Sequence, residues 1–298
     1  MSLASARSVA TGRSSTRTSK RLWAALSYFL MFLLAMLFMF PWFYTLMTSL
    51  MSADELYLFP PKWVPSVFQW HNYLHVFEEV PFARWFLNSA TVAALATVGA
   101  LGSATLVAYS FARFRWHGRD LVFGITLATM MLPAEVTLIP TYLLFKGLGW
   151  LNTIRPLWVP AWFGGGAFNI FLLRQFIMSL PRDFDEAATI DGANPLRILL
   201  SVLLPLMKPA LATVGVLSLI GTWNDFMGPL IYLSTPRKFT VALGLRYFQV
   251  TPGSASAGMP TQHYLMACCV LSASPILLLF FAAQKYFVQG IVMSGLKG

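Results

Sequence analysis

PRDFDEAATIDGANPLRILLSVLLPLMKPAL, residues Pro181–Leu211, is the stretch in which charge gathers within an otherwise apolar chain: Arg182, Asp183, Asp185, Glu186, Asp191, Arg197 and Lys208 all fall inside it. Its first half predicts a short helix. Asp183 suits the N-cap, Glu186 supplies the reciprocal side chain three residues on, and acids in the first turn favour the positive end of the helix dipole. Ala187 and Ala188 are good helix formers with almost no side chain, so another backbone can approach closely. Gly192 ends the helix, as glycine does where φ turns positive. Asn194 and Pro195 then open a second helix as N-cap and first helical residue. In it Leu196, Leu199, Leu200 and Leu203 recur at helical spacing while Arg197, Ser201 and Lys208 fall on the other side, the pattern of an amphipathic helix in a membrane interface. Two short helices joined by a glycine turn, small outside and greasy beneath, make a docking lever.

The rest of the chain sets the medium. Of 298 residues, 57% are hydrophobic and 11% charged, against about 25% charged in soluble domains. Several runs exceed the ~20 apolar residues that cross a bilayer. The net charge of +10 raises the question of nucleic acid, but the basic residues flank apolar runs, which fits membrane topology and no nucleic-acid partner. Cys268 and Cys269 are the only cysteines. Neighbours on a helix point about 100° apart, so they imply neither a disulfide framework nor a redox site.

Taken in order, residues 1–21 carry Arg7, Arg13, Arg17, Lys20 and Arg21 and no acid. That composition also suits an organelle transit peptide, but reads as a disordered tail holding the N-terminus in the cytoplasm. Residues 22–298 form the membrane domain. Six spans are expected, at Leu22–Leu50, Trp85–Ala112, Leu121–Phe145, Pro156–Leu173, Pro209–Leu233 and Tyr264–Gln284. Ala96, Gly99, Gly102 and Ala104 suit the second to close packing. Gly164–Gly166 either break the fourth or admit a neighbouring helix. With both termini inside, the inner segments hold five, three, four and two basic residues and the outer ones two, two and three. The positive-inside rule supports that orientation, with Arg237, Lys238 and Arg246 as local dissent. The expectation is an all-α, multi-pass protein of the cytoplasmic membrane, in contact with lipid.

No phosphate-cradling Gly-x-x-x-x-Gly-Lys-Ser/Thr loop occurs, nor any His-Glu-x-x-His or Cys-x-x-Cys pair, and the four histidines are scattered. No catalytic or metal site and no cofactor on this chain follow from that. Asp225, within Thr222-Trp223-Asn224-Asp225-Phe226, falls in the fifth span, where a bare carboxylate costs at least about 2.5 kcal/mol. Asn224 and Asp225 either line a translocation path or fix packing between helices. Glu135, between Pro133 and Pro140, reads as a residue near the outer mouth that either lines the path or reaches to interfacial water.

The 181–205 stretch resembles the cytoplasmic loop of bacterial ABC importer permeases: Glu-Ala-Ala, three residues, Gly, nine residues, Ile, one residue, Leu-Pro. Glu186, Ala187, Ala188, Gly192, Leu204 and Pro205 fall on that pattern, with Val202 a conservative replacement for the isoleucine. Asp191, Pro209-Ala210-Leu211 and Phe171-Leu172-Leu173-Arg174-Gln175-Phe176 are similar to the carbohydrate-importing, maltose-type branch, as is the Trp-Asn-acid-Phe string around Asp225. The resemblance implies a type I ABC importer architecture: a six-helix permease paired with a sister permease, two copies of an ATP-binding subunit and an extracytoplasmic solute-binding protein, moving a sugar or oligosaccharide. ATP would be hydrolysed on the separate ATPase chain. The loop would dock that chain through Asp185, Glu186, Ala187, Ala188, Asp191, Gly192 and Pro205, with Glu186 as polar anchor, the alanines as flat face and Gly192 as turn. The same machine for a glycerol-phosphate compound, a secondary transporter, and a scaffold or insertase subunit are the competing readings.

Overall fold

The computed structural model describes residues 12–250 and 262–295. Among them every regular element is helical and none is a strand, as expected where the solvent cannot satisfy exposed backbone groups. The described residues divide into two compact units, one within residues 1–72 and 260–267 and the other within residues 73–259 and 268–298.

The first unit is built on α1 (Gly12–Ser49). α1 already runs from Gly12, so residues 12–21, expected as disordered tail, continue the apolar helix; no proline interrupts them and arginine and lysine favour helix. Residues 1–11 lie outside the described part of the chain. From Trp23 to Ser49 α1 is apolar and membrane-length, with Phe29, Leu33 and Phe38 exposed. After it, a 3₁₀ turn at Asp54–Tyr57 is tied down by Glu55, whose carboxylate accepts from the Ser66 N–H at 2.9 Å and pairs with Lys62 at 3.4 Å. These bonds hold the Glu55 carboxyl down at about 2, with Ser66 the largest cause.

α2 (His71–Glu79) leads into the second unit, whose centre is α3 (Phe82–Arg113). Ala100, Ala104, Ala108 and Ala112 repeat every four residues on its buried side, a line along which other backbones come close. Gly99 is buried as anticipated, whereas Gly102 faces outward with nothing near it.

The expected third span is bent. α4 (Arg119–Ala128) and the 3₁₀ turn after it meet α5 (Ala134–Gly147) at 101°. Pro133 causes this: it offers no N–H and drives Leu132 to an extended ψ of 123°. Pro140, by contrast, stays inside α5. The fourth span is likewise interrupted. α6 (Arg155–Trp158) and a 3₁₀ turn precede α7 (Ala167–Ser179), separated by Gly164, Gly165 and Gly166, all at positive φ. Both readings of the glycines hold at Gly165, because a Cβ there would collide with the Ala100 carbonyl of α3.

α8 (Asp183–Ile190), α9 (Pro195–Arg197), a π-helical segment at Ile198–Leu203 and α10 (Leu204–Leu206) form the charged loop. α11 (Lys208–Trp223) follows at 82°. Its 16 residues give about 24 Å of helix, short of the ~30 Å hydrocarbon core. The expected unbroken span to Leu233 therefore does not occur: the chain breaks at 224–226 and resumes as α12 (Met227–Tyr232). α13 (Val241–Val250) precedes α14 (Gln262–Gly295), which continues past Gln284, the expected end of the sixth span. Four described helices are long and apolar enough to cross a membrane, or six if each bent pair is one span. α3, α7, α11 and the loop share one core, with Leu173, Ile177, Leu203, Met207 and Val214 at its centre.

Candidate functional site

The loop's turn is a Schellman motif. The Gly192 N–H donates to Thr189 O at 3.0 Å and the Ala193 N–H to Ala188 O at 2.9 Å, with Gly192 at φ +78°. The second helix opens as its sequence implies: the Asn194 carboxamide accepts from the Arg197 N–H at 2.8 Å and Pro195 is the first helical residue. The start of α8 differs. Arg182 occupies the cap position and Asp183 is already helical, so the Asp183–Glu186 capping box does not form. Asp183, Asp185 and Glu186 all lie in the first turn, where they complement the dipole without a capping bond.

Burial sorts the docking candidates. Asp183, Glu186, Ala187 and Ile190 follow one another at positions i, i+3, i+4 and i+7, and all are exposed, Ile190 by 87%. Asp191, Gly192 and Pro205 are exposed as well. Ala188 turns the other way and packs half-buried against the core, as does Ala193. Asp185 also faces inward: its Oδ2 lies 3.0 Å from Arg113 Nε, with the side chains 20% and 8% exposed. The approach is an ion pair and not a well-directed hydrogen bond. Arg113 Nη2 donates to Leu180 O at 3.1 Å, and Tyr109 Oη donates to Pro195 O at 3.2 Å. Arg113 reads in the sequence only as a topology marker and Tyr109 as bulk; no local pattern announces either.

The second helix buries Ile198, Leu199, Leu203 and Met207 and leaves Leu196 and Leu200 each 55% exposed. The expected Leu196–Leu200 stripe is thus rotated. The reason lies in the π register: the Leu204 N–H reaches back five residues to Leu199 O, ahead of Pro205, which has no N–H to give. That shift turns the buried face away from 3.6-residue spacing.

The path candidates sit at helix breaks. The Asn224 carboxamide donates to Ile220 O at 3.0 Å, and Asp225 Oδ1 accepts from the Gly228 N–H at 3.2 Å. They close α11 and open α12, so Asp225 is not a bare carboxylate inside a continuous helix. Glu135 is exposed in the first turn of α5, at the Pro133 bend. Among the described residues no hydrogen bond or ion pair joins Glu135 to Asp225.

At the other end of α3, Trp85 Nε1 donates to Pro236 O at 2.8 Å, Asn88 Nδ2 to Arg237 O and Phe239 O at 3.1 and 2.9 Å, and Ser89 Oγ accepts from the Val241 N–H at 2.8 Å. Asn152, at φ +56°, receives the Ser234 and Thr235 N–H groups, each at 3.2 Å, and its carbonyl accepts from Lys238 Nζ at 2.7 Å. Asparagine's tolerance of the left-handed region is the one sequence signal for this role. His75, one turn after His71 on α2, engages Glu78 and Glu79 at 3.3 and 3.2 Å.

Several apolar, membrane-length helices, with α3, α7, α11 and a glycine-turned loop sharing one core, define a multi-pass membrane protein. Residues 100–293 match the family described as binding-protein-dependent transport system inner membrane component, and the chain belongs to that family. It is 31% identical over 277 residues to the arabinooligosaccharides transport system permease protein AraQ of Bacillus subtilis (strain 168), covering 92% of this chain and 95% of the relative. It is 32% identical over 266 residues to the sn-glycerol-3-phosphate transport system permease protein UgpE of Yersinia pestis bv. Antiqua (strain Antiqua), covering 87% and 92%. The structure aligns with a chain of the crystal structure of a bacterial ABC transporter involved in the import of the acidic polysaccharide alginate, with TM-score 0.80, 27% identity, and 90% and 98% of the two chains covered.

Proposed function

We propose that this chain is the membrane-spanning subunit of an ATP-driven importer and forms the translocation path for a sugar or oligosaccharide delivered by an extracytoplasmic binding protein. The exposed Asp183–Glu186–Ala187–Ile190 face, held by the Gly192 turn, carries the reading. It offers a separate ATPase chain an apolar seat flanked by carboxylates, and the small Ala187 lets that chain's backbone come close. The relatives and the alginate importer supply the cargo class. In this reading six spans cross the membrane with both termini in the cytoplasm, the chain pairs with a sister permease, and two ATPase subunits engage the pair. Glu186 anchors the ATPase, and Asn224, Asp225 and Glu135, each at an interruption of a span, face the path. ATP drives closure of the ATPase pair, and the docking turn moves with it.

The test is to co-express the ATPase partner with wild-type chain and with Glu186→Lys, and to measure ATPase co-purification and sugar-stimulated hydrolysis. The charge reversal turns attraction toward a basic site into repulsion. It should weaken association or uncouple hydrolysis from uptake while leaving membrane insertion intact. Wild-type behaviour in both assays would overturn the docking role. A glycerol-phosphate cargo is the second reading, favoured by the 32% identity to the Yersinia relative. Uptake assays with oligosaccharide against sn-glycerol 3-phosphate separate the two.

A further inference from the structure

We infer that Arg113, with Tyr109, is a positioning residue that locks the docking turn onto α3, so that α3 is the helix through which movement of the turn reaches the far end of the bundle. The inference rests on the docking reading above.

Three contacts from one end of α3 take hold of three parts of the loop. Arg113 pairs with Asp185 in α8, the same guanidinium donates to Leu180 O just before α8, and Tyr109, one turn earlier, donates to Pro195 O at the start of the second helix. Both helices of the lever are thereby fastened to a single turn of α3. The ion pair is shielded, with Arg113 8% exposed, so water and salt compete poorly for it. Asp185 sits between the outward-facing Asp183 and Glu186, and its inward direction fixes how α8 is rotated and hence which residues face out.

The covalent route from the turn is more compliant. It passes through the π segment at Ile198–Leu203 and an 82° bend into α11. α11 then stops at the 224–226 break. α3, in contrast, has no proline or break over its 32 residues, about 48 Å of continuous helix. The other described spans each contain a proline, a glycine break or a bend. At its far end α3 holds residues 236–241 through Trp85, Asn88 and Ser89. A rigid rod bonded at both ends transmits displacement; a chain of joints absorbs it.

The experiment measures sugar transported per ATP hydrolysed in liposomes containing the complete complex, with ATPase co-purification recorded for every variant. The variants are Arg113→Gln, Asp185→Asn, both together, the reversed pair Arg113→Asp with Asp185→Arg, and Tyr109→Phe. Each single charge variant should keep the ATPase bound and lower transport per ATP by at least about 5-fold. The double variant should be no worse than either single, because both remove one interaction. The reversed pair should recover much of the loss, an outcome a mere topology marker would not produce. Tyr109→Phe keeps the ring in place and should lower the ratio by about 2-fold. Losses that multiply in the double variant, or a wild-type ratio in the singles, overturn the clamp. If Arg113→Gln does not insert, a wild-type ratio in both Asp185→Asn and Tyr109→Phe overturns it instead. Loss of the ATPase from these variants alone also overturns it, since the pair would then serve seating and not transmission. Failure of the wild-type chain to retain the ATPase overturns the docking reading itself.

Discussion

Two single residues do work that their neighbours cannot. Gly192 stands at φ +78° with open space where a Cβ would go, so a substitution there meets backbone strain and no collision. Asparagine tolerates that region and valine does not. Gly192→Asn should therefore retain most ATPase association, whereas Gly192→Val, strained by on the order of 1–3 kcal/mol, should lose much of it; co-purification of the ATPase with each variant reads the difference. Equal behaviour of the two would mean that the turn's conformation does not matter to docking. Glu55 acts through its charge. Its carboxyl titrates at about 2 where the ordinary value is 4.5, so the stabilisation given by the ionised form is complete above the unfolded value. It is lost as the pH falls from there through the folded value. Thermal unfolding in detergent micelles should show wild type losing stability between these two values more steeply than Glu55→Gln, and parallel pH profiles would count against this role.

At the scale of elements, the interruptions carry the information. Gly165 combines a φ of +68° with a contact against Ala100 and Ala104 of α3. Gly165→Ala should cost on the order of 3 kcal/mol through strain and overpacking together, far more than Gly192→Ala, as read by the yield and thermal stability of purified chain. A stable Gly165→Ala variant would show that α7 can move off α3 freely. The α11–α12 break is held by Asp225, whose Oδ1 accepts from the Gly228 N–H. Asparagine can make the same bond and carries no charge. Asp225→Asn should then leave the complex assembled but depress uptake by about 10-fold or more if the carboxylate meets the substrate path. Wild-type uptake would restrict Asp225 to opening α12. Asp225→Ala adds the loss of the capping bond, about 0.5–2 kcal/mol, and should be less stable than Asp225→Asn by thermal unfolding.

For the whole molecule, the chain contains no phosphate-cradling loop. Purified on its own it should show no ATP hydrolysis, and activity should appear when the ATPase chain is added. Robust hydrolysis by contaminant-free chain would place a nucleotide site where none was read.

Composition and periodicity were enough to establish an all-helical, multi-pass membrane protein and the Gly192 and Asn194–Pro195 punctuation of the loop. These are local properties: apolar length, a cap, a left-handed residue. Proline and glycine also marked where spans would be interrupted, but not how. Pro133 produced a 101° bend while Pro140 stayed inside its helix, although both remove a backbone N–H. Likewise the docking candidates could be named but not oriented. Asp185 and Ala188 turned inward because Arg113, about 70 residues earlier in the chain, and the shared core draw them there, and no window of local sequence contains both partners. The rotation of the second helix away from its leucine stripe, the clamp on α3 and the Asn152 contacts are of the same kind. Each depends on which surfaces meet after the helices pack, and only the tertiary structure decides that.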